Sequence, residues 1–271
     1  MRTTSLALLL LAALGLTAGC GEDDAPPRLR LATTTSTDNS GLLRAILPAF
    51  EAQYGGPVDV VAVGTGQALK LGERGEADLL LVHARAREDA FVAAGHGIDR
   101  RDIMWNDFVI AGPASDPAGI AGGTEGAAAL AKIAAAGVHF VSRGDDSGTH
   151  TRERALWERA GGRPAWSGYL DAGQGMGPCL TIADEKRAYV LTDRGTFLAY
   201  RGRLDLEILV EGDPALRNPY GAMRVNPARH AHVNAAGAKA LLDYLGSEAC
   251  QAAIAAFRVD GEALFHPAQE P

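Results

Sequence analysis

Three short segments of the sequence are rich in hydroxyl side chains and glycine, and each lies where a predicted strand passes into a predicted helix. They are the runs 33–37 (T-T-T-S-T), 64–66 (G-T-G) and 143–149 (R-G-D-D-S-G-T). The first turn of a helix carries backbone N–H groups without carbonyl partners and the positive end of the helix dipole, so it attracts anions. Serine and threonine add hydroxyl donors, and glycine lets the backbone approach a ligand closely. Together the three loops predict a binding site for a small oxyanion.

Helix capping is the alternative explanation for each loop taken alone. A serine or threonine ahead of a helix commonly accepts a hydrogen bond from the first turn, and Ser40 fits that role. A cap needs one side-chain oxygen, whereas the run 33–37 has five consecutive hydroxyls, and this excess favours a ligand site. Arg143 is the only cation within the three loops, and a guanidinium suits an oxyanion because it can donate two parallel hydrogen bonds. Arg143 could instead pair with Asp145 or Asp146.

The pattern that surrounds these loops, apolar strands alternating with helices, predicts an α/β fold of two lobes. Lobe I comprises residues 28–111 plus 225–271, and lobe II comprises residues 112–224. The segments 103–111 and 220–225 are the two predicted hinge crossings between them. Alternating strands and helices predict a parallel sheet covered on both faces. Ligands bind at the carboxyl ends of such strands, so we expect the three loops to line the cleft between the lobes.

Five motifs, spread over nearly the whole chain after the first loop begins, carry a family resemblance. They are T-T-T-S-T-x-x-S-G-L-L at 33–43, V-G-T-G-x-A-L at 63–69, R-G-D-D-S-G-T-H at 143–150, G-Q-G-M-G at 173–177 and L-T-D-R-x-T at 191–196. In this order they resemble the tungstate-binding proteins of bacterial ABC importers. The resemblance implies a two-lobed periplasmic-binding-protein-like fold and a bound tungstate, with molybdate as a second candidate. It also implies delivery of the anion to a membrane permease and its ATPase.

The resemblance further implies which residues contact the oxyanion. Carried over by motif, they are Thr34, Thr35 and Ser36 of the first loop, Thr65 and Gly66 of the second, and Arg143, Ser147 and Thr149 of the third. The dipeptide Pro178-Cys179 departs from the family pattern, in which a threonine-like residue is expected after the glycines. A contact from the 173–179 loop therefore stays open.

Phosphate is an alternative ligand because of its protonation. Tungstate and molybdate are tetrahedral dianions without a proton at neutral pH, so a site for them needs donors alone. Phosphate keeps a proton near neutrality and gains from one carboxylate acceptor. Asp145 and Asp146 could supply that acceptor, or could stabilise the first turn of the following helix. The R-x-D-x-S-G-T pattern also resembles phosphate-binding relatives, whereas the T-T-T-S loop favours tungstate, and the sequence does not rank tungstate against molybdate.

The N-terminal residues predict export. Arg2 precedes an apolar stretch at 6–16 that is too short to span a bilayer, as in a secretory signal. The stretch leads into L-T-A-G-C at 16–20, which resembles a bacterial lipoprotein cleavage box, although Thr17 stands where an aliphatic residue is usual. Residues 1–19 are therefore the predicted signal peptide, and Cys20 is the predicted site of lipidation.

A polar, proline-ended segment at 20–27 is the predicted tether between the lipid and the folded lobes. This arrangement predicts a protein anchored to the membrane by its lipid, in the periplasm or on the outer face of the cytoplasmic membrane. Plain secretion, with an incidental Cys20, is the alternative.

Composition and charge exclude several function classes. The chain is 47% hydrophobic and 22% charged, the balance of an ordinary globular protein with a substantial core. Its formal net charge is −7, which leaves no basic surface suited to a run of phosphates, so a nucleic acid is not the expected partner. Cys179 and Cys250 are the two cysteines after Cys20, too few for a disulfide scaffold, and whether they pair stays open.

Motifs for catalysis or for a protein-bound metal are weak. C-x-x-C and H-E-x-x-H do not occur, and His230 and His232 have no third ligand nearby in the sequence. Ser147 and His150 lack the G-x-S-x-G turn of a hydrolase. We therefore expect a monomeric binding protein without enzymatic activity, cofactor or ligated metal cation. An extracytoplasmic enzyme or a sensor that uses the same pocket is the alternative.

Overall fold

The computed structural model describes residues 28–268, and the predictions for the signal peptide, for Cys20 and for the tether lie outside the described residues. Within the described range, no helix combines the length and the apolar character that crossing a membrane requires.

Helices and strands alternate over most of this range. The helices are α1 (Thr35–Asn39), α2 (Leu42–Tyr54), α3 (Thr65–Glu73), α4 (Arg85–Ala93), α5 (Gly126–Ala135), α6 (Gly148–Arg159), α7 (Met176–Lys186), α8 (Arg194–Tyr200), α9 (Ala235–Leu245) and α10 (Glu248–Ala256), with short 3₁₀ helices at Arg201–Arg203 and Pro214–Leu216. The strands are β1 (Leu29–Thr34), β2 (Val58–Val63), β3 (Leu79–Val82), β4 (Gly97–Pro113), β5 (Phe140–Ser142), β6 (Tyr169–Asp171), β7 (Tyr189–Asp193), β8 (Leu206–Val210), β9 (Arg217–Val225), β10 (Arg258–Val259), β11 (Glu262–Ala263) and β12 (His266–Pro267).

Helix α2 shows how the sequence sets these bounds. Its apolar residues recur at helical spacing, so Leu43, Leu47 and Phe50 face the core together. Gly41 and Gly55 flank the helix with φ angles of 83° and 81°. Both angles lie in the left-handed region that glycine adopts without strain, and they let the chain turn sharply at each end.

The main sheet has the strand order β2-β1-β3-β9-β4-β7-β5-β6, with β8 and β12 also paired to β4. Strand β1 pairs in parallel with β2 and β3, and β5 pairs in parallel with β6 and β7. Strands β4 and β9 run antiparallel to each other and to their other neighbours. Each half of the sheet thus has the predicted parallel pairing. The two strands that cross between the halves, β4 and β9, are antiparallel to their neighbours.

Strand β4 changes partners half-way along its length. It pairs with β9 as far as Asp107, opposite Arg217, and with β7 from Phe108 onward. The two halves of the sheet form two lobes joined by two crossings, which confirms the predicted fold. Strand β4 changes partner between Asp107 and Phe108, and β9 begins at Arg217, opposite Asp107. The division of the lobes at 111/112 and 224/225 stays a prediction. An apolar run marks a strand, but it does not mark where the strand exchanges neighbours.

Each lobe has its own core. In the first, the C-terminal helices α9 and α10 pack against α2 and the sheet, with Leu241 and Ile254 fully buried. In the second, Phe140, Trp157 and Tyr189 are buried together.

The two remaining cysteines lie in different cores and do not pair. Cys250 belongs to the core of the first lobe and Cys179 to that of the second, and both are free and buried. Burial raises the pKa of each thiol to about 11. Both thiols are therefore protonated at neutral pH.

Candidate functional site

The first hydroxyl-rich loop is largely a one-turn helix, α1, which follows β1 without a break. Thr34 caps it, since its hydroxyl oxygen accepts a hydrogen bond from the Thr37 backbone N–H at 3.3 Å. Thr33, Thr34 and Thr37 are buried, whereas Thr35 and Ser36 are exposed. The Thr33 hydroxyl donates to the Leu81 carbonyl oxygen in β3 at 2.7 Å, and the Thr34 and Thr37 hydroxyls bond to each other within the turn. The exposed hydroxyls of Thr35 and Ser36 are the two that solvent can reach.

The second loop lies beside the first because the two strands that lead into them are paired. Val63, the last residue of β2, is the parallel partner of Thr34. Gly64 precedes α3 and offers no side-chain cap. Thr65 and Gly66 are half-buried in the first turn of α3, where the backbone N–H groups have no carbonyl partner within the helix.

The third loop leads from β5 into α6, and its donors surround Asp145. Arg143 donates to Asp145 Oδ2 from Nη2 at 2.5 Å and from Nε at 3.1 Å. The backbone N–H of Ser147 donates to Asp145 Oδ1 at 3.1 Å. Burial tends to raise the pKa of Asp145, but hydrogen bonds from Ser147 and Arg143 outweigh it and lower the pKa. The sequence left open whether Arg143 pairs with Asp145, and the structure shows that it does. The lowered pKa keeps the Asp145 carboxylate ionised at neutral pH.

The remaining residues of this loop differ in exposure. Ser147 caps α6, and its hydroxyl oxygen accepts from the His150 backbone N–H at 3.3 Å. Thr149 is buried, whereas the Asp146 side chain is 82% exposed. His150 Nδ1 accepts from the Asp146 backbone N–H at 3.0 Å. The His150 ring is therefore bonded to the backbone and not to the Ser147 hydroxyl, so the two do not form a nucleophile–base pair.

The glycine-rich motif at 173–177 begins beside the third loop. Ala172 donates its backbone N–H to Ser142 at 3.0 Å, and Asp171 packs against Gly144. Cys179 is fully buried, and its thiol lies 3.5 Å from the carbonyl oxygen of Gln174. The Cys179 side chain therefore belongs to the core.

His83, at the end of β3, links the first and third loops. Its Nε2 lies 3.2 Å from the Thr34 hydroxyl and 3.5 Å from that of Ser36. A side chain built on Gly148, the first residue of α6, would begin 3.9 Å from His83 Cε1. The ring thus separates a loop of one lobe from a helix N-terminus of the other. His83 was not predicted as a site residue, because one histidine at the end of an apolar strand carries no periodic signal.

A buried hydrogen-bonded chain extends from His83 to both crossing strands. Asn106 in β4 and Asn218 in β9 are directly opposite each other, and Asn218 Nδ2 donates to Asn106 Oδ1 at 2.8 Å. Asn106 Nδ2 in turn donates to the Tyr220 hydroxyl at 3.2 Å, and the Tyr220 ring stacks on His83 with centroids 4.6 Å apart.

This chain fixes the tautomer of His83. Asn218 Oδ1 faces His83 Nδ1 at 3.2 Å, so Nδ1 carries the proton and Nε2 is the acceptor. The Thr34 hydroxyl lies within hydrogen-bond distance of His83 Nε2 and of the Ser36 and Thr37 hydroxyls, at 3.2, 3.1 and 2.7 Å. These contacts orient the first loop, and an anion contact from Thr34 stays a prediction.

The titration of His83 should make the stability of the protein depend on pH. Burial lowers the pKa of His83 from 6.5, against the opposing effects of its bond to Asn218 and of the Asp193 charge. The unfolded chain therefore binds more protons below about pH 6.5, so the free energy of unfolding should fall as the pH drops from there, by at most ~1.4 kcal/mol per pH unit from this one group. Denaturant titrations between pH 7.5 and 5 should show a steeper fall for the parent than for His83→Gln. If the free energy of unfolding fell equally with pH in the parent and in His83→Gln, the prediction would be wrong.

Sequence and structure comparisons place the chain in a family. A family model for the PBP superfamily domain matches residues 22–249. The tungstate-binding protein TupA of Peptoclostridium acidaminophilum is 48% identical over 241 residues, which cover 88% of this chain and 84% of that protein. The chain belongs to the TupA family. TupA of Campylobacter jejuni is 40% identical over 235 residues, 85% of this chain and 87% of the relative.

Solved structures of TupA relatives have the same fold. Tungstate-binding protein TupA from Desulfovibrio alaskensis G20 matches with a TM-score of 0.85 and 49% identity, over 90% of this chain and all of that one. The tungstate ABC transporter chain from Geobacter sulfurreducens matches with a TM-score of 0.78 and 53% identity, over 86% of this chain and all of that one. Membership in the TupA family confirms the resemblance carried by the five motifs.

The two histidines near the C-terminal side of the first lobe do not form a metal centre with acidic or thiol neighbours. His230 Nε2 and His232 Nε2 each lie 3.0 Å from a backbone carbonyl oxygen at the end of α3, those of Glu73 and Gly75. Among residues 28–268, no group of three or more histidine, cysteine, aspartate or glutamate side chains is placed to hold a metal ion.

Proposed function

We propose that this chain is the extracytoplasmic binding protein of an ABC importer and that it captures tungstate between its two lobes. The meeting of the first and third loops on either side of His83 carries the proposal, because it brings donors from both lobes to one place. The names of the TupA relatives support tungstate as the ligand. Molybdate, a dianion of the same shape, is a second ligand under this proposal.

The donors assigned to the anion are the exposed or first-turn groups of the three loops. They are the hydroxyls of Thr35, Ser36, Thr65, Ser147 and Thr149, the backbone N–H of Gly66, and the guanidinium of Arg143. Thr34 belongs to the site through its bonds to Ser36 and His83, at 3.1 and 3.2 Å, which orient the first loop.

The placement of the two carboxylates favours tungstate over phosphate. Phosphate would need an acceptor for its proton. Both oxygens of Asp145 already accept hydrogen bonds from the loop, and the Asp146 side chain is directed to solvent. Because one carboxylate is already bonded and the other points to solvent, the site presents mainly hydrogen-bond donors. Such a site suits an anion without a proton.

Under this proposal the chain is a carrier and not an enzyme, a role supported by its tungstate-binding relatives. Binding would draw the lobes together, and a permease with its ATPase would receive the anion from the closed, monomeric form. A sensor or enzyme that uses the same pocket remains the second class of function, and turnover or a signalling partner would be its evidence.

We propose that Cys20 carries a lipid that anchors the mature protein to the membrane, through the tether at 20–27. The cleavage box at 16–20 supports this assignment. Mass spectrometry of the chain extracted from membranes should find an N-terminal Cys20 with attached acyl groups, and an unmodified N-terminus in the soluble fraction would reject the anchor.

Titration calorimetry with sodium tungstate, molybdate, sulfate and phosphate tests the ligand. We expect one tungstate per chain, bound at least about tenfold more tightly than phosphate, because the site offers donors without a free acceptor for the proton of phosphate. The same samples, assayed for release of products, should show no turnover. Phosphate binding tenfold tighter than tungstate would overturn the assigned ligand.

A further inference from the structure

A second guanidinium lies at the edge of the proposed site, and it belongs to Arg87 in the first turn of α4. A side chain built on Gly66 would begin 2.8 Å from Arg87 Nη2 and 3.5 Å from its Cζ and Nη1. The Arg87 guanidinium therefore covers Gly66, in the first turn of α3. That turn holds two of the groups assigned to the anion, the Thr65 hydroxyl and the Gly66 backbone N–H.

The charge of Arg87 is not compensated by a neighbouring acid. Within the part of the chain that the structure describes, the Arg87 guanidinium makes no ion pair and no side-chain hydrogen bond. The acids nearest to it in sequence are engaged elsewhere, because Glu88 pairs with Arg100 at 2.7 Å and Asp89 with Arg85 at 2.8 Å.

Arg143 and His83, the other candidate cations of the site, do not offer an uncompensated positive charge. Arg143 is already paired with Asp145, so the pair together adds almost no net charge. His83 donates from Nδ1 and accepts at Nε2, as a neutral ring does. Of Arg87, Arg143 and His83, Arg87 is therefore the side chain that offers an entering dianion an uncompensated positive charge.

We propose that Arg87 is a second cation of the oxyanion site, and that it attracts the dianion and contacts it once bound. This inference rests on the proposed function. It also explains the glycine at position 66, because any side chain there would displace the guanidinium from the first turn of α3. Arg87 was not predictable from the sequence, because a charged residue on an amphipathic helix usually faces solvent.

The test compares Arg87→Ala with Arg85→Ala in the binding of sodium tungstate at 20 mM and 300 mM NaCl. Both variants lose one positive charge from the same helical turn, but the Arg85 guanidinium is held by Asp89. We expect Arg87→Ala to weaken binding about five- to tenfold at low salt, with a smaller loss at high salt because ions screen an exposed charge. Arg85→Ala should change the affinity less than twofold.

A third variant, Gly66→Ala, keeps the backbone N–H but displaces the Arg87 guanidinium. It should weaken binding by a similar factor, and the double variant should lose no more than either single one. Thermal unfolding of all variants checks that the fold is retained. If the parent binds tungstate and Arg87→Ala binds equally well, or if Arg85→Ala loses as much as Arg87→Ala, the inference is wrong. If the parent itself binds no tungstate, the proposed function fails instead.

Discussion

Replacing Arg143 by alanine should weaken tungstate binding by about tenfold to more than a hundredfold, with the fold retained. A hydrogen bond from a charged group contributes roughly 1.5–3 kcal/mol, and 1.36 kcal/mol is a factor of ten. A guanidinium has five N–H donors, of which Arg143 gives one from Nε and one from Nη2 to Asp145. The remaining N–H groups of Arg143 are free to donate to the anion. Titration calorimetry measures the loss of tungstate affinity, and thermal unfolding of the same samples shows whether the fold is retained.

Two further variants separate the causes of that loss. Arg143→Ala also leaves the Asp145 carboxylate unpaired beside a dianion, so the double variant with Asp145→Asn should recover part of the affinity. Arg154→Ala is the matched control, because its guanidinium is 55% exposed on α6 and pairs with Asp146 at 3.4 Å. It removes the same charge and should bind within about twofold of the parent. Unchanged tungstate affinity in Arg143→Ala would remove Arg143 from the site.

Replacing Asn218 by alanine should lower the free energy of unfolding by about 2–6 kcal/mol. The change leaves two buried groups without partners, the Nδ1–H of His83 and the Oδ1 of Asn106, and each such group costs roughly 1–3 kcal/mol. Urea titration at pH 7.5 gives the free energy directly. The melting temperature should fall by about 2–4 °C for each kcal/mol lost.

Asn39→Ala is the control for this variant, since Asn39 is exposed at the end of α1. Its effect should stay within about 0.5 kcal/mol, as for most surface substitutions. If Asn218→Ala were as stable as the control, the buried chain from His83 to Tyr220 would not hold the crossing strands together.

Much of the fold could be predicted because its strands and helices carry strong apolar patterns. The alternation of strands and helices that the sequence predicts is present along most of the described chain. Helix α1 was missed because threonine and serine have low helix propensity, and only the Thr34 cap and the packing of the turn make this segment helical. Strand β12 was missed because two residues show no pattern, and it exists by pairing with Trp105 and Met104.

The site was predictable only as far as local motifs reach. The three loops are visible in sequence because hydroxyls and glycines cluster at strand–helix junctions. Asn106 and Asn218 are 112 residues apart and meet only through the register of β4 and β9, so no local pattern could join them to His83. The sequence also left open whether Arg143 pairs with Asp145, because the choice depends on the turn geometry of the loop.

The two crossings are neighbours, and this sets how the lobes can move. Strands β4 and β9 stay hydrogen-bonded to each other up to Asp107 and Arg217, and only beyond that point do they enter the second lobe. The backbone therefore passes between the lobes at two adjoining positions, and a swing of one lobe about both of them would turn on a single axis. A pair of fluorescent dyes, one on each lobe, would then report occupancy through one distance. The chain is accordingly suited to conversion into an optical sensor for its anion.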